Sequence, residues 1–207
     1  MQRKTSQALR LPGIALLLAS VLSAILMFGH PTGDDAPSVM RGVHGLLLLL
    51  SLVILAALGL LIRPFGLGLV TAIAFTAFAT GTIGNMLAGL INGFVTPAIL
   101  GTPELSDPSQ LVRLAWEMNQ IFASAGVVST GIAIGTLAAS LFQCGLRVLG
   151  LAGIVVGLGT AGALTAGFID LDLGEAIIVY GSQLLWLALF GLIAALSDGF
   201  QRMASSA

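Results

Sequence analysis

Six stretches of this chain contain no Asp, Glu, Lys, Arg or His: Leu11 to Gly29, Gly45 to Ile62, Pro64 to Pro103, Met118 to Leu146, Val148 to Ile169 and Ala176 to Ser197. Each is long enough to cross a bilayer as a helix, which takes ~20 predominantly apolar residues. A soluble domain carries about 25% charged residues; here the share is 8%, too little to solvate a surface around so much apolar side chain. The expected fold class is therefore all-α, a polytopic integral membrane bundle of six transmembrane helices. Their approximate spans are 11-29, 43-62, 66-94, 114-142, 148-169 and 176-197, between tails 1-10 and 198-207. Lipid is the expected solvent and the first partner.

Charge and cysteine remove several classes. Eight Lys+Arg against nine Asp+Glu leave no basic face to track phosphates, so nucleic acid is not an expected partner. The lone Cys144 excludes an intramolecular disulfide and reads as a small buried hydrophobe. Arg3, Lys4 and Arg10 ahead of the first apolar run resemble a signal peptide only superficially. That run has 19 residues, suits a full span, and leads into the bulky Met27-Phe28-Gly29-His30-Pro31, so a retained helix is expected.

Orientation follows from the basic residues, which concentrate in cytoplasmic segments. The 40-residue stretch Pro64 to Pro103 holds either one extended span or two short ones. One span gives six basic residues inside (Arg3, Lys4, Arg10, Arg63, Arg147, Arg202) and two outside (Arg41, Arg113). Splitting it gives five to three, so six spans with both termini cytoplasmic in a bacterial inner membrane is the expectation. The third helix is then expected to stop before Pro97, with Ser106 or Asp107 capping the fourth and Pro108 in its first turn. Eight acidic residues (Asp34, Asp35, Glu104, Asp107, Glu117, Asp170, Asp172 and Glu175) fall outside and only Asp198 inside.

In lipid, helices associate through small residues that let backbones approach. Such stripes occur at Ala77, Gly81, Asn85, Gly89 and Gly93; at Ala123, Gly131, Gly135 and Ala139; and at Gly153, Gly157 and Ala161. Spans 3 to 5 are expected to pack tightly, whereas Leu-rich span 2 reads as largely lipid-facing. A faint echo, Arg63 before Gly66-Leu67 and Arg147 before Gly150-Leu151, hints at duplicated hairpins.

Polar side chains within spans are costly and mark functional surfaces. Here they gather in the outer half, and residues three, four and seven apart share a helical face. The candidate ligand pocket comprises His44, Asn85, Asn92, Glu117, Gln120, Tyr180 and Gln183, with Glu117 its leading residue. The alternatives for these residues are hydrogen bonds that fix helix register and, for Glu117, an i,i+4 pair with Arg113. His30 and His44 bracket one tight hairpin and, with Asp34 or Asp35, form a weaker candidate metal set; no cofactor is evident.

No phosphate-binding loop, zinc-protease helix or nucleophile elbow occurs. The leading functional expectation is a non-catalytic protein that binds a small or lipidic ligand in an outer-facing polar pocket, or serves as a membrane partner subunit or homo-oligomer. The alternatives are a small transporter whose third helix breaks between Gly81 and Gly93, and a membrane enzyme using His44 and Glu117 with a metal.

Overall fold

The computed structural model describes residues 2–31, 35–63, 68–103 and 107–196, with side chains from Leu9 onward. Asp34, Glu104, the Ser106 cap, the Gly66-Leu67 half of the repeat, Asp198, Arg202 and the tail 198-207 lie outside the described residues. The chain is all-helical, with α1 (Gln2–Phe28), α2 (Pro37–Ile62), α3 (Leu69–Leu90), α4 (Thr96–Leu100), α5 (Ser109–Gln143), α6 (Arg147–Thr165) and α7 (Leu173–Leu196). Among the described residues six helices, counting α3 through α4 as one of 32 residues, are long and apolar enough to span a membrane.

The helix ends follow local chemistry. Pro37 opens α2 at a first-turn position, where its missing N–H is not needed. Asp107 Oδ1 accepts the Ser109 N–H at 2.9 Å to start α5. Asp172 Oδ1 accepts the Glu175 N–H at 2.9 Å to start α7, while the Glu175 carboxylate accepts the Asp170 N–H. Both α5 and α6 end on a glycine of positive φ, Gly145 at 92° and Gly167 at 71°. In each, the next residue's N–H reaches back five positions, Leu146 to Leu141 O at 3.0 Å and Phe168 to Ala163 O at 2.9 Å. Cys144 sits at the first of these caps and is exposed, not buried as its composition suggested.

The third span does not stop before Pro97. After α3 a single π turn, Ile91–Val95, carries the helix into α4, and the Thr96 N–H bonds to Ile91 O. A wider turn relieves the clash between the Pro97 ring and the preceding carbonyls that would break a regular α-helix. From Gly81 to Leu90 the helix is unbroken, so the expected break between Gly81 and Gly93 is not found at mid-span; the irregularity lies near the end.

Packing uses the small residues, in more places than expected. On α5 one face meets α3, where a Cβ on Gly84 would stand 2.9 Å from Gly126 N. Another face meets α6, where a Cβ on Gly157 would stand 2.6 Å from Gly135 N. A third seam, between α1 and α7, was not anticipated: a Cβ on Gly13 would lie 2.8 Å from Gly191 O, and one on Gly191 would lie 2.7 Å from Gly13 O. The Leu-rich α2 is less lipid-facing than its composition implied, with Leu58 and Leu61 buried and Leu47 and Leu48 turned toward an internal cavity.

The bundle divides into two halves along its axis. Toward the ends marked by Ile62, Leu69 and Leu196, the interior is filled by one apolar cluster that includes Leu61, Ile134, Leu141, Trp186 and Phe190. Trp186 and Phe190 stack at 5.6 Å, and the Trp186 indole N–H donates to Leu149 O at 2.9 Å. A void of about 10 Å³ lies among these side chains. Toward the α1–α2 and α6–α7 connections the helices separate around a cavity.

Candidate functional site: a neutral polar cavity

The cavity has a volume of about 470 Å³ and is walled by α1, α2, α3, α5 and α7, with the π turn and the loop before α7 also lining it. No described residue of α6 lines it; that helix packs behind α5. Three of its lining side chains, Ile54, Phe78 and Leu187, belong to the apolar core. Trp116, half-exposed, stands at the rim, a position suited to an amphipathic ring.

Six of the seven expected pocket residues line this space: His44, Asn85, Asn92, Gln120, Tyr180 and Gln183. Helix register explains the set. Asn85 lies on the small-residue stripe of α3, and Gly126 opposite it on α5 leaves room for its side chain; a Cβ there would overlap Asn85 Oδ1. That oxygen accepts the Tyr180 O–H from α7 at 3.0 Å, tying α3 to α7 across the cavity. Gln183 donates from α7 to Val127 O on α5 and to Thr160 Oγ1 on α6, both at 3.2 Å. Gln120 donates to Leu171 O at 3.3 Å, fastening the loop before α7 to α5.

Glu117 is the exception and corrects the sequence reading. Its side chain is 60% exposed, and its Oε1 lies 3.9 Å from Arg113 Nε one turn earlier on α5. The inward face of α5 runs through Ala115, Asn119 and Ala123, spaced four apart, which leaves Glu117 on the opposite side. Asn119 takes the place assigned to Glu117: it is buried, lines the cavity and donates to Ala88 O at 2.9 Å. The sequence signal for this face is the run of small and polar residues Ala115, Asn119, Ala123, Gly126 and Thr130 at helical spacing.

The two histidines do come together. Their rings meet edge to face with centroids 4.9 Å apart, and both line the cavity. His44 Nδ1 lies 2.8 Å from Met40 O, and His30 Nδ1 lies 3.0 Å from Pro31 O. A carbonyl only accepts, so each Nδ1 carries the proton and each neutral ring presents Nε2 as an acceptor. Burial lowers the His30 pKa from its ordinary value, opposed in part by the Pro31 hydrogen bond. Gly93, in the π turn, packs against the His44 side chain so closely that no Cβ fits between them. Of the metal set suggested by sequence, Asp34 lies outside the described residues and Asp35 is exposed; among the described residues no cluster of three or more His, Cys, Asp or Glu side chains is placed to hold an ion.

The remaining polar wall, unnoticed in the sequence, is hydroxyl. Ser51 and Thr82 donate to Leu47 O and Phe78 O, at 2.8 and 2.9 Å within their own helices. Ser23, on α1 and almost fully buried, also lines the cavity, and its Oγ has no hydrogen-bond partner. No Asp, Glu, Lys or Arg side chain lines the cavity among the described residues. The site is a largely apolar chamber studded with uncharged amide, imidazole, phenol and hydroxyl groups, the usual composition of a small-molecule pocket. No family model, curated protein or solved structure matches the chain, so the geometry of this cavity is what bears on function.

Proposed function

We propose that this is a six-span membrane protein that binds an uncharged amphipathic small molecule in its cavity and does so without catalysing its conversion. One observation carries the reading: a chamber of about 470 Å³ has polar groups contributed by α1, α2, α3, α5 and α7, yet among the described residues no charged side chain on its wall. Burying an unpaired charge there would be costly, whereas uncharged groups exchange their water for the wall's amides and imidazoles. Register-fixing hydrogen bonds alone would require the helices to close on one another, as they do in the other half.

In this reading both termini are cytoplasmic and the cavity faces the outer side of the membrane, supported by the six-to-two distribution of Lys and Arg. The acidic residues near the cavity end have a local role, since Asp107, Asp172 and Glu175 serve helix starts.

The test uses ten-carbon amphiphiles of one apolar body, added to the protein in lipid nanodiscs: decylglycerol, decyl sulfate and decyltrimethylammonium. Binding followed through Trp116 fluorescence is expected for decylglycerol and lost in Ala123→Phe, which fills the chamber from α5. Equal binding of all three, or binding unaffected by the filled cavity, contradicts the proposal.

A further inference from the structure

The unspent hydrogen-bonding capacity of the cavity end narrows the ligand further, on the footing of the binding function proposed above. His30 and His44 stand ring to ring at 4.9 Å, and each has already committed its Nδ1 proton to a backbone carbonyl, Pro31 O and Met40 O. Each Nε2 is thus a bare acceptor on a ring that lines the chamber. Gln183 has likewise spent both amide N–H groups, on Val127 O and Thr160 Oγ1, which leaves its Oε1 to accept. Seven residues before His30, on α1, Ser23 is 4% exposed and its hydroxyl is unpartnered. Buried polar groups are almost always satisfied, so an orphan hydroxyl on a cavity wall points to a partner that comes from the cavity.

We propose that the ligand is a neutral amphiphile bearing hydroxyl groups, one of which donates to Nε2 of the His30–His44 pair while a deeper oxygen pairs with Ser23. A hydroxyl meets both demands because it donates to imidazole and accepts from serine. A ligand whose polar atoms only accept, such as an ester or a quinone, leaves both imidazole acceptors without a donor. An ammonium donates, but among the described residues no carboxylate lines the chamber to balance its charge.

The experiment compares decylglycerol with its 2,3-di-O-methyl ether, which keeps the apolar body and oxygens but has no O–H. Wild-type protein in nanodiscs is expected to bind the diol at least about fivefold more tightly, the magnitude of one hydrogen bond. In the double variant His30→Phe, His44→Phe the ratio is expected to fall toward one, with ether affinity changed less than about twofold. A second readout needs no variant: in wild-type protein labelled with ¹⁵N-histidine, the Nε2 resonances shift on adding the diol and not the ether. Ether binding as tight as diol binding, a preference that survives loss of both imidazoles, or unmoved Nε2 resonances overturns the inference. Decylammonium binding more tightly than the diol overturns its neutral-ligand part. Failure of both the diol and the ether to bind instead removes the binding function on which it rests, so the two failures are distinguishable.

Discussion

The two halves of the bundle are built from the same helices and differ in what fills the space between them. In the packed half, Trp186, Phe190, Leu61, Ile134 and Leu141 interlock around glycine seams that bring backbones together. In the cavity half, α1, α2, α3, α5 and α7 stand apart around about 470 Å³, bridged by Tyr180 to Asn85, Asn119 to Ala88 and Gln120 to Leu171. Dispersion and close backbone approach hold one half, where lipid offers no hydrophobic drive for association. Single hydrogen bonds, about 0.6 kcal/mol each in membranes, brace the other. The open half is thus the place where close packing gives way to a cavity.

Paired glycine substitutions test that division with the largest effect. In Gly157→Ala the new methyl meets the backbone of α5 2.6 Å away, and a loss of about 2–3 kcal/mol is expected. In Gly89→Ala, on the cavity wall, the nearest atom is a Leu48 methyl at 3.8 Å, and the change is expected to be below about 0.5 kcal/mol. Unfolding midpoints of the two variants in nanodiscs make the comparison; equal losses would erase the distinction between halves.

Next in size is a pH effect confined to the cavity half. Because burial lowers the His30 pKa below the ordinary imidazole value of about 6.5, the unfolded chain takes up a proton that the folded chain resists. Stability is therefore full above about pH 6.5 and falls as pH drops from that value toward the folded-state pKa. Thermal midpoints between pH 7.5 and 5 are expected to decline in wild type and to flatten in His30→Gln. A decline of unchanged slope in the variant would assign it elsewhere.

The smallest effect belongs to the exposed side of α5 that carries Arg113 and Glu117. Glu117 and Arg113 are 60% and 83% exposed at 3.9 Å, so Glu117→Gln is expected to change stability by less than about 0.5 kcal/mol and to leave diol binding intact. Loss of binding in this variant would return Glu117 to the cavity.

Much of the fold was legible because its cause is local. Charge-free runs mark the helices, and the Gly stripes of α3, α5 and α6 mark their seams. The α1–α7 seam rests on Gly13 and Gly191, far apart in sequence and each inconspicuous in a Leu-rich run, although Gly191 and Ala195 share the small-residue spacing. The continuation of helix through Pro97 depended on a π turn, which no residue pattern announces. For the site, Asn85, Asn92, Tyr180, Gln183, Gln120 and His44 could be found because polar residues inside a span face inward. Glu117 misled because near a helix end a carboxylate reaches water on any face, so its presence carries no information about direction. The partners of the Nδ1 protons of His30 and His44, and hence the acceptors they present, depend on three-dimensional placement alone.

The central claim, a chamber open to small uncharged molecules above a closed core, is tested most directly by thiol reactivity. In a Cys144→Ser background, cysteine is placed at Ser51 on the cavity wall and, about two turns farther along α2, at Leu58 in the packed core. Reaction of N-ethylmaleimide in nanodiscs is expected at position 51, slowed by decylglycerol, and not at position 58. Equal reactivity at both positions, or none at 51, would contradict the account.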